Sequence, residues 1–158
     1  IGDTYNISIG QGDVLATPLQ IAVLTSIVAN RGTLYKPQVV KTIIDALTNK
    51  EQEIKPSIIR ENIIAKENLQ IVALGMKDCV GYGSCRQLLS LPIQTAGKTG
   101  TAQWSSNKDP HAWFTVFAPF NKPQIVLTVL IEEGESGSST AIPVAEQFLN
   151  WWWMNKGK

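Results

Sequence analysis

The residues best suited to chemistry run from Thr95 to Gln103, Thr-Ala-Gly-Lys-Thr-Gly-Thr-Ala-Gln. One cation, Lys98, stands among small and hydroxyl residues, and glycines at 97 and 100 leave room for a second backbone or a ligand to come close. An ammonium, the hydroxyls of Thr99 and Thr101, and main-chain N–H groups bared beside Gly100 can all donate to a small anion. The chemistry indicated is recognition of a carboxylate. A strand end running into a turn would also read Lys-Thr-Gly, so the surrounding elements must carry the argument further.

Composition sets the frame for those elements. A chain of 158 residues, 44% hydrophobic and 17% charged, is globular and fits one domain or one large piece of a domain. The net charge of +1 comes from 14 basic and 13 acidic residues mixed along the chain, with no basic stripe, which argues against nucleic acid as a partner. No stretch approaches the roughly 18 apolar residues of a membrane span, and the start resembles no signal peptide. It also lacks a methionine, so a longer parent chain is expected. Cys79 and Cys85 can bridge in an oxidising compartment or stay free, and together with the single His111 they make no metal set.

Residues 1 to 16 are rich in glycine and polar residues, with a tight loop at Gly10-Gln11-Gly12-Asp13. A helix follows: Thr17 suits the N-cap, Pro18 the first turn, and Gly32 the stop. Apolar residues cover most of its circumference, leaving Gln20, Thr25 and Ser26 polar, and predict burial on nearly all sides by partners that include some outside this sequence. Residues 34–60 read as an extended hairpin arm outside the main sheet. A second helix from Lys66 to about Gly81 carries Leu69, Val72, Met76 and Val80 on one stripe, and Gly81 to Ser84 read as a flexible loop. Strands starting near Gln94, Ala112 and Gln124 form an antiparallel three-strand meander over 94–133. The continuously apolar third strand is expected in the middle of a sheet. Glu132, Glu133 and Glu135 read as a solvated strand end. A final helix over 139–153 is expected to be capped by Thr140, with Val144, Phe148 and Trp151 or Trp152 packed on the sheet.

Four stretches taken together resemble the transpeptidase domain of class B penicillin-binding proteins, enzymes that cross-link peptidoglycan. They are Ile9-Gly10-Gln11-Gly12 with Thr17-Pro18-Leu19-Gln20 and Ala29-Asn30-Arg31-Gly32; Ala96-Gly97-Lys98-Thr99-Gly100-Thr101-Ala102-Gln103; His111-Ala112-Trp113-Phe114 with Phe117-Ala118-Pro119; and the closing strand and helix. The opening Gly2-Asp3-Thr4-Tyr5-Asn6-Ile7-Ser8 is most similar to the elongation branch, with the septal branch as the alternative. Residues 81 to 90 depart from the family pattern, in which a glycine- and threonine-rich loop is more usual.

The resemblance implies an α/β (α+β), β-lactamase/transpeptidase-like fold: an antiparallel sheet flanked by helices. Residues 1–158 would be its C-terminal part, without the first two sheet strands. It implies a D,D-transpeptidase whose serine attacks D-Ala-D-Ala stem peptides and is acylated by β-lactams. That serine would lie upstream, in a Ser-x-x-Lys motif absent here, so the isolated chain is expected to be inactive. Ser105-Ser106-Asn107-Lys108 matches the motif spacings, but a polar turn follows it rather than an apolar helix. By resemblance, Lys98 supplies positive potential and Thr99 and Thr101 bind the substrate carboxylate. The Thr101 N–H is an oxyanion donor, Gly100 keeps the edge clear, and Gln103 continues the strand toward substrate. No cofactor or metal is implied. Partners would be the missing N-terminal half and wall-elongation membrane proteins, at the extracytoplasmic face of the cytoplasmic membrane, with an N-terminal anchor outside this sequence. The opposing readings are a non-catalytic scaffold or β-lactam sensor, and a β-lactamase, which needs a water-activating base.

Overall fold

The computed structural model describes residues 2–12 and 14–157. Asp13, the last residue of the loop read from sequence, lies outside the described residues. The polar opening contains a short helix, α1 (Gly2–Ser8), none of whose residues is buried. The chain then turns back on it: the Gly10 N–H donates to the Ile7 carbonyl and the Gln11 N–H to the Asn6 carbonyl, both at 2.9 Å. Gly10 and Gly12 take φ of +77° and +97°, the left-handed region in which a side chain is strained.

Helix α2 (Pro18–Ala29) begins where its capping signals put it. The Thr17 hydroxyl accepts from the Gln20 N–H, and the Gln20 side chain accepts from the Thr17 N–H at 2.8 Å. Burial on nearly all sides is not reached within this chain alone. Only Thr25, Ile27 and Ala29 are buried, while Leu19 and Leu24 are 60% and 53% exposed. One side of the helix meets the sheet, and the polar Thr25 lies on that side because hydroxyls receive it. Its Oγ1 is 2.8 Å from that of Thr115, which is 2.9 Å from that of Thr128.

Four short strands follow: β1 (Leu34–Tyr35), β2 (Thr42–Ile44), β3 (Glu51–Glu53) and β4 (Ile58–Arg60). β2 pairs with β3 inside the β1–β4 pair, and neither ladder joins the three-stranded sheet. The turn between β2 and β3 is organised by Asp45, whose carboxylate accepts from the Leu47 and Thr48 N–H groups at 3.0 and 2.7 Å. Those hydrogen bonds hold its carboxyl below the usual carboxylate range, the backbone bond from Thr48 most strongly.

Helix α3 (Lys66–Gly81) buries Leu69, Met76 and Val80 of the predicted stripe, while Val72, its fourth member, is exposed. The segment after it is no free loop. Cys79 and Cys85 form a disulfide, and the Gly83 and Cys85 N–H groups both donate to the Cys79 carbonyl. A 3-10 turn, Arg86–Ser90, is tied to the last helix through Gln87 and Ser90, which both donate to the Glu146 carboxylate.

The main sheet is antiparallel in the order β5 (Ala96–Ala102), β6 (His111–Ala118), β7 (Ile125–Ile131). β7 is therefore an edge within this chain and is half-buried throughout, while β6 holds the middle. The continuous apolar run is a signal for two covered faces, and it says nothing about which strand is central here. On one face Ala112, Phe114, Val116 and Ala118 join Val80, Leu88, Ile142, Ala145 and Leu149 in the larger core. On the other, Phe117 packs with Ala29, Met76 and Ala96.

The last helix, α4 (Ile142–Asn155), follows one π-type turn, Gly137–Ala141. Two expectations fail there. The Thr140 hydroxyl donates back to the Gly134 and Ser136 carbonyls, which leaves α4 with no side-chain cap. The buried face is Ile142, Ala145 and Leu149, flanked by Trp152 and Trp153, whereas Val144, Phe148 and Trp151 face outward. The helix carries two apolar stripes, and the one through Ile142, Ala145 and Leu149 is the one that meets the sheet. Among the described residues, no helix is long and apolar enough to cross a membrane.

Candidate functional site

β5 is paired on one side only, which leaves the other edge of the Lys-Thr-Gly strand open among the described residues. The register, Lys98 opposite Thr115, Thr99 opposite Phe114 and Thr101 opposite Ala112, assigns the side chains to faces. Because successive residues alternate, Lys98 lies on the face covered by α2, and Thr99 and Thr101 lie on the face covered by α4. The three predicted polar side chains thus flank one strand edge from both faces.

Backbone direction is settled by Gln11. Its Nε2 donates to the Thr101 carbonyl at 2.9 Å, and its Oε1 accepts from the Gln103 N–H at 3.3 Å. These groups point away from β6. In an antiparallel strand the N–H and C=O of a residue face the same side, so the Thr101 N–H lies on the open edge, and the Thr99 carbonyl two residues back does as well. Lys98 reaches round to that edge, where its Nζ donates to the Thr99 carbonyl at 2.7 Å. Among the described residues the one ion pair is Lys108 with Glu133, so the Lys98 charge faces the edge without a carboxylate partner. An open backbone edge, an unneutralised ammonium and two hydroxyls can bind a carboxylate beside an oxyanion.

The glycines serve the sheet itself. A Cβ at Gly97 would lie 2.7 Å from the Phe114 ring, and one at Gly100 would lie 3.1 Å from Trp113 Cβ. Thr95 is buried at the start of the motif, where its hydroxyl has no hydrogen-bond partner and borders a pocket of about 340 Å³ behind the strand.

Other residues singled out from sequence organise the β5–β6 turn. Lys108 bonds Glu133 at 2.8 Å and lies over the Trp104 ring, while the Ser105 hydroxyl accepts from the Asn107 N–H. Ser105 and Lys108 thus serve separate partners. His111 stacks on Trp104, and its Nδ1 accepts from the Glu133 N–H. Glu133 thereby closes the turn as well as ending a strand.

Sequence reasoning assigned no role at the strand to two residues that touch it. Gln11 carried a signal, since a lone amide between two left-handed glycines is presented outward by the turn. Ser84, whose Oγ is 2.8 Å from Thr99 Oγ1, was hidden in a loop that composition alone makes look mobile.

Residues 2–150 match the family described as penicillin binding protein transpeptidase domain. Over 167 residues the chain is 31% identical to the peptidoglycan D,D-transpeptidase MrdA of Haemophilus influenzae, covering 96% of this chain and 26% of that protein. The structure of Pseudomonas aeruginosa PBP2 in complex with WCK 5153 superimposes with a TM-score of 0.81 at 35% identity, over 98% of this chain and 34% of that one. Helicobacter pylori PBP2, in a complex with MreC, gives a TM-score of 0.79 at 29% identity, over 99% and 28%. The chain spans about a quarter of the length of the curated relatives it matches.

Proposed function

The chain belongs to the penicillin-binding protein transpeptidase family, and from that premise we propose that it is the C-terminal part of a peptidoglycan D,D-transpeptidase. The observation that carries this reading is the open edge of β5, with Lys98, Thr99 and Thr101 gathered along it. A serine outside this sequence attacks the carbonyl between the two terminal D-alanines of a stem peptide. Its proton passes to a base, the C–N bond breaks, D-alanine leaves, and an amine of a second stem peptide takes the acyl group. β-Lactams acylate the same serine.

Each residue of the edge has a part in that reaction. Lys98 supplies positive potential for the terminal carboxylate, to which Thr99 and Thr101 donate hydrogen bonds. The Thr101 N–H donates to the oxyanion that forms on the attacked carbonyl, and such a donor typically contributes ~10²–10³ in rate. Gln103 continues the strand past the binding edge, where the Gln11 side chain takes its N–H, and Gly100 adds no side chain of its own beside the ligand. The incoming peptide then adds to β5 as a short extra strand.

The missing half of the domain adds its strands along β7, whose outer edge is open among the described residues, and covers Leu19 and Leu24 of α2. Within this C-terminal portion, residues 34–60 form the hairpin arm, 94–133 the meander and 139–153 the closing helix region. The likeness to MrdA and to the PBP2 of the MreC complex supports the elongation branch over the septal one. It also supports a wall-elongation membrane protein as partner at the extracytoplasmic face of the cytoplasmic membrane. Intact mass spectrometry of the full-length protein after incubation with penicillin G tests the reading. Addition of one penicillin mass is the expected result, and no addition would favour a non-catalytic scaffold or sensor.

A further inference from the structure

We propose that Ser84, held by the Cys79–Cys85 bridge, is a positioning residue that aims the Thr99 hydroxyl at a bound carboxylate. This rests on the carboxylate-binding role proposed for Thr99. Ser84 Oγ lies 2.8 Å from Thr99 Oγ1, on the α4 face of β5. It also lies 3.4 Å from the Cys79 sulfur and 3.9 Å from that of Cys85. Bridged sulfurs carry no hydrogen and accept only weakly, so the Ser84 proton goes to the better acceptor, Thr99 Oγ1. The Thr99 proton is then directed away from Ser84. A carboxylate can only accept, so with ligand bound the chain runs one way: Ser84 O–H to Thr99, Thr99 O–H to carboxylate. Hydrogen bonds ordered in series polarise one another, which strengthens the last.

The loop is built to keep Ser84 in place. Its N-terminal side is fixed by the Gly83 N–H, which donates to the Asp78 and Cys79 carbonyls at 3.2 and 3.1 Å. A Cβ at Gly83 would lie 2.8 Å from Cys79 Cα, so a side chain there would force the loop off the helix end. On the other side Cys85 is wholly buried in the core and its N–H donates to the Cys79 carbonyl at 3.0 Å. Ser84 itself is exposed, so its fixed position comes from its neighbours and needs no burial of its own.

The test compares acylation rates of the full-length protein by penicillin G and by its methyl ester, which lacks the carboxylate. Ser84→Ala should slow the free acid about tenfold, the loss of one oriented hydrogen bond to a charged group, and leave the ester within about twofold. Ser84→Thr, which keeps the hydroxyl, should restore the preference for the acid. Equal slowing with both ligands would mean a merely structural role and would overturn the proposal, as would an unchanged rate with the acid. A wild-type protein acylated by neither ligand would instead overturn the transpeptidase reading on which the proposal rests.

Discussion

The Gln11 side chain lies along the edge of β5 as a peptide unit would, with its Nε2 2.9 Å from the Thr101 carbonyl and its Oε1 3.3 Å from the Gln103 nitrogen. The contact joins residues 90 apart in sequence and ties the turn after α1 to the far end of the Lys-Thr-Gly strand. Gln11→Ala removes both hydrogen bonds, which together are worth about 1–2 kcal/mol. The Gln103 amide should then exchange its hydrogen about tenfold faster, and penicillin acylation should slow several-fold. Unchanged exchange at Gln103 would show that the pairing does not persist in solution.

Lys98→Ala should lower penicillin acylation of the full-length protein by ~10²-fold or more, because it removes the cation from a site where negative charge must be held. Lys98→Arg, which keeps the charge on a longer fork, should recover part of the rate. Acylation kinetics indifferent to both changes would remove Lys98 from the mechanism.

The threonine series from α2 through the sheet predicts a stability effect remote from the active edge. Thr115 sits between Thr128 and Thr25, which also donates to the Ile21 carbonyl, so Thr115→Val leaves the Thr128 hydroxyl without its partner in a partly buried setting. A loss of about 1–2 kcal/mol in urea unfolding is expected. Replacing all three threonines by valine should cost less than the sum of the single changes, since no hydroxyl is then left unpaired.

Reduction of the Cys79–Cys85 bridge frees a loop with a sequence separation of 6. Loop-closure entropy for so short a loop corresponds to about 2 kcal/mol. The urea midpoint should therefore fall when dithiothreitol is added, and an identical midpoint would mean that the hydrogen bonds to the Cys79 carbonyl hold the loop without the bridge.

Asp45 makes the β2–β3 turn acid-sensitive. Its folded carboxyl titrates below its ordinary value of 3.8, so the turn gains stability that is present above that value and is lost as pH falls through the lowered one. The protection of the Leu47 and Thr48 amides, meaning their exchange relative to the intrinsic rate at the same pH, should hold from neutral pH down to about 4 and fall below it. In Asp45→Asn that acid step should disappear.

The sequence by itself was enough wherever the cause is local or is a motif. Thr17, Pro18 and Gln20 lie within one turn of each other and start α2 without help from the rest of the chain. The spacing of Leu69, Met76 and Val80 sets the buried stripe of α3. The run from Ala96 to Gln103, together with the stretches around it, was sufficient to place the family, and alternating residues were sufficient to put Lys98 and Thr99 on opposite faces once a strand was accepted. Tertiary structure decided what depends on partners distant in the chain. The apolar content of β7 is the same whether it lies in the middle or at an edge, and only pairing shows that β6 is central here. α4 offers two apolar stripes, and only its docking on the sheet shows that Ile142, Ala145 and Leu149 are buried while Val144, Phe148 and Trp151 face outward. Gln11 and Ser84 reach β5 across 90 and 15 residues, through two hydrogen bonds and one, which leave no periodic trace. A helix cap is fixed by neighbours in sequence, whereas a strand edge is fixed by whatever the fold brings beside it.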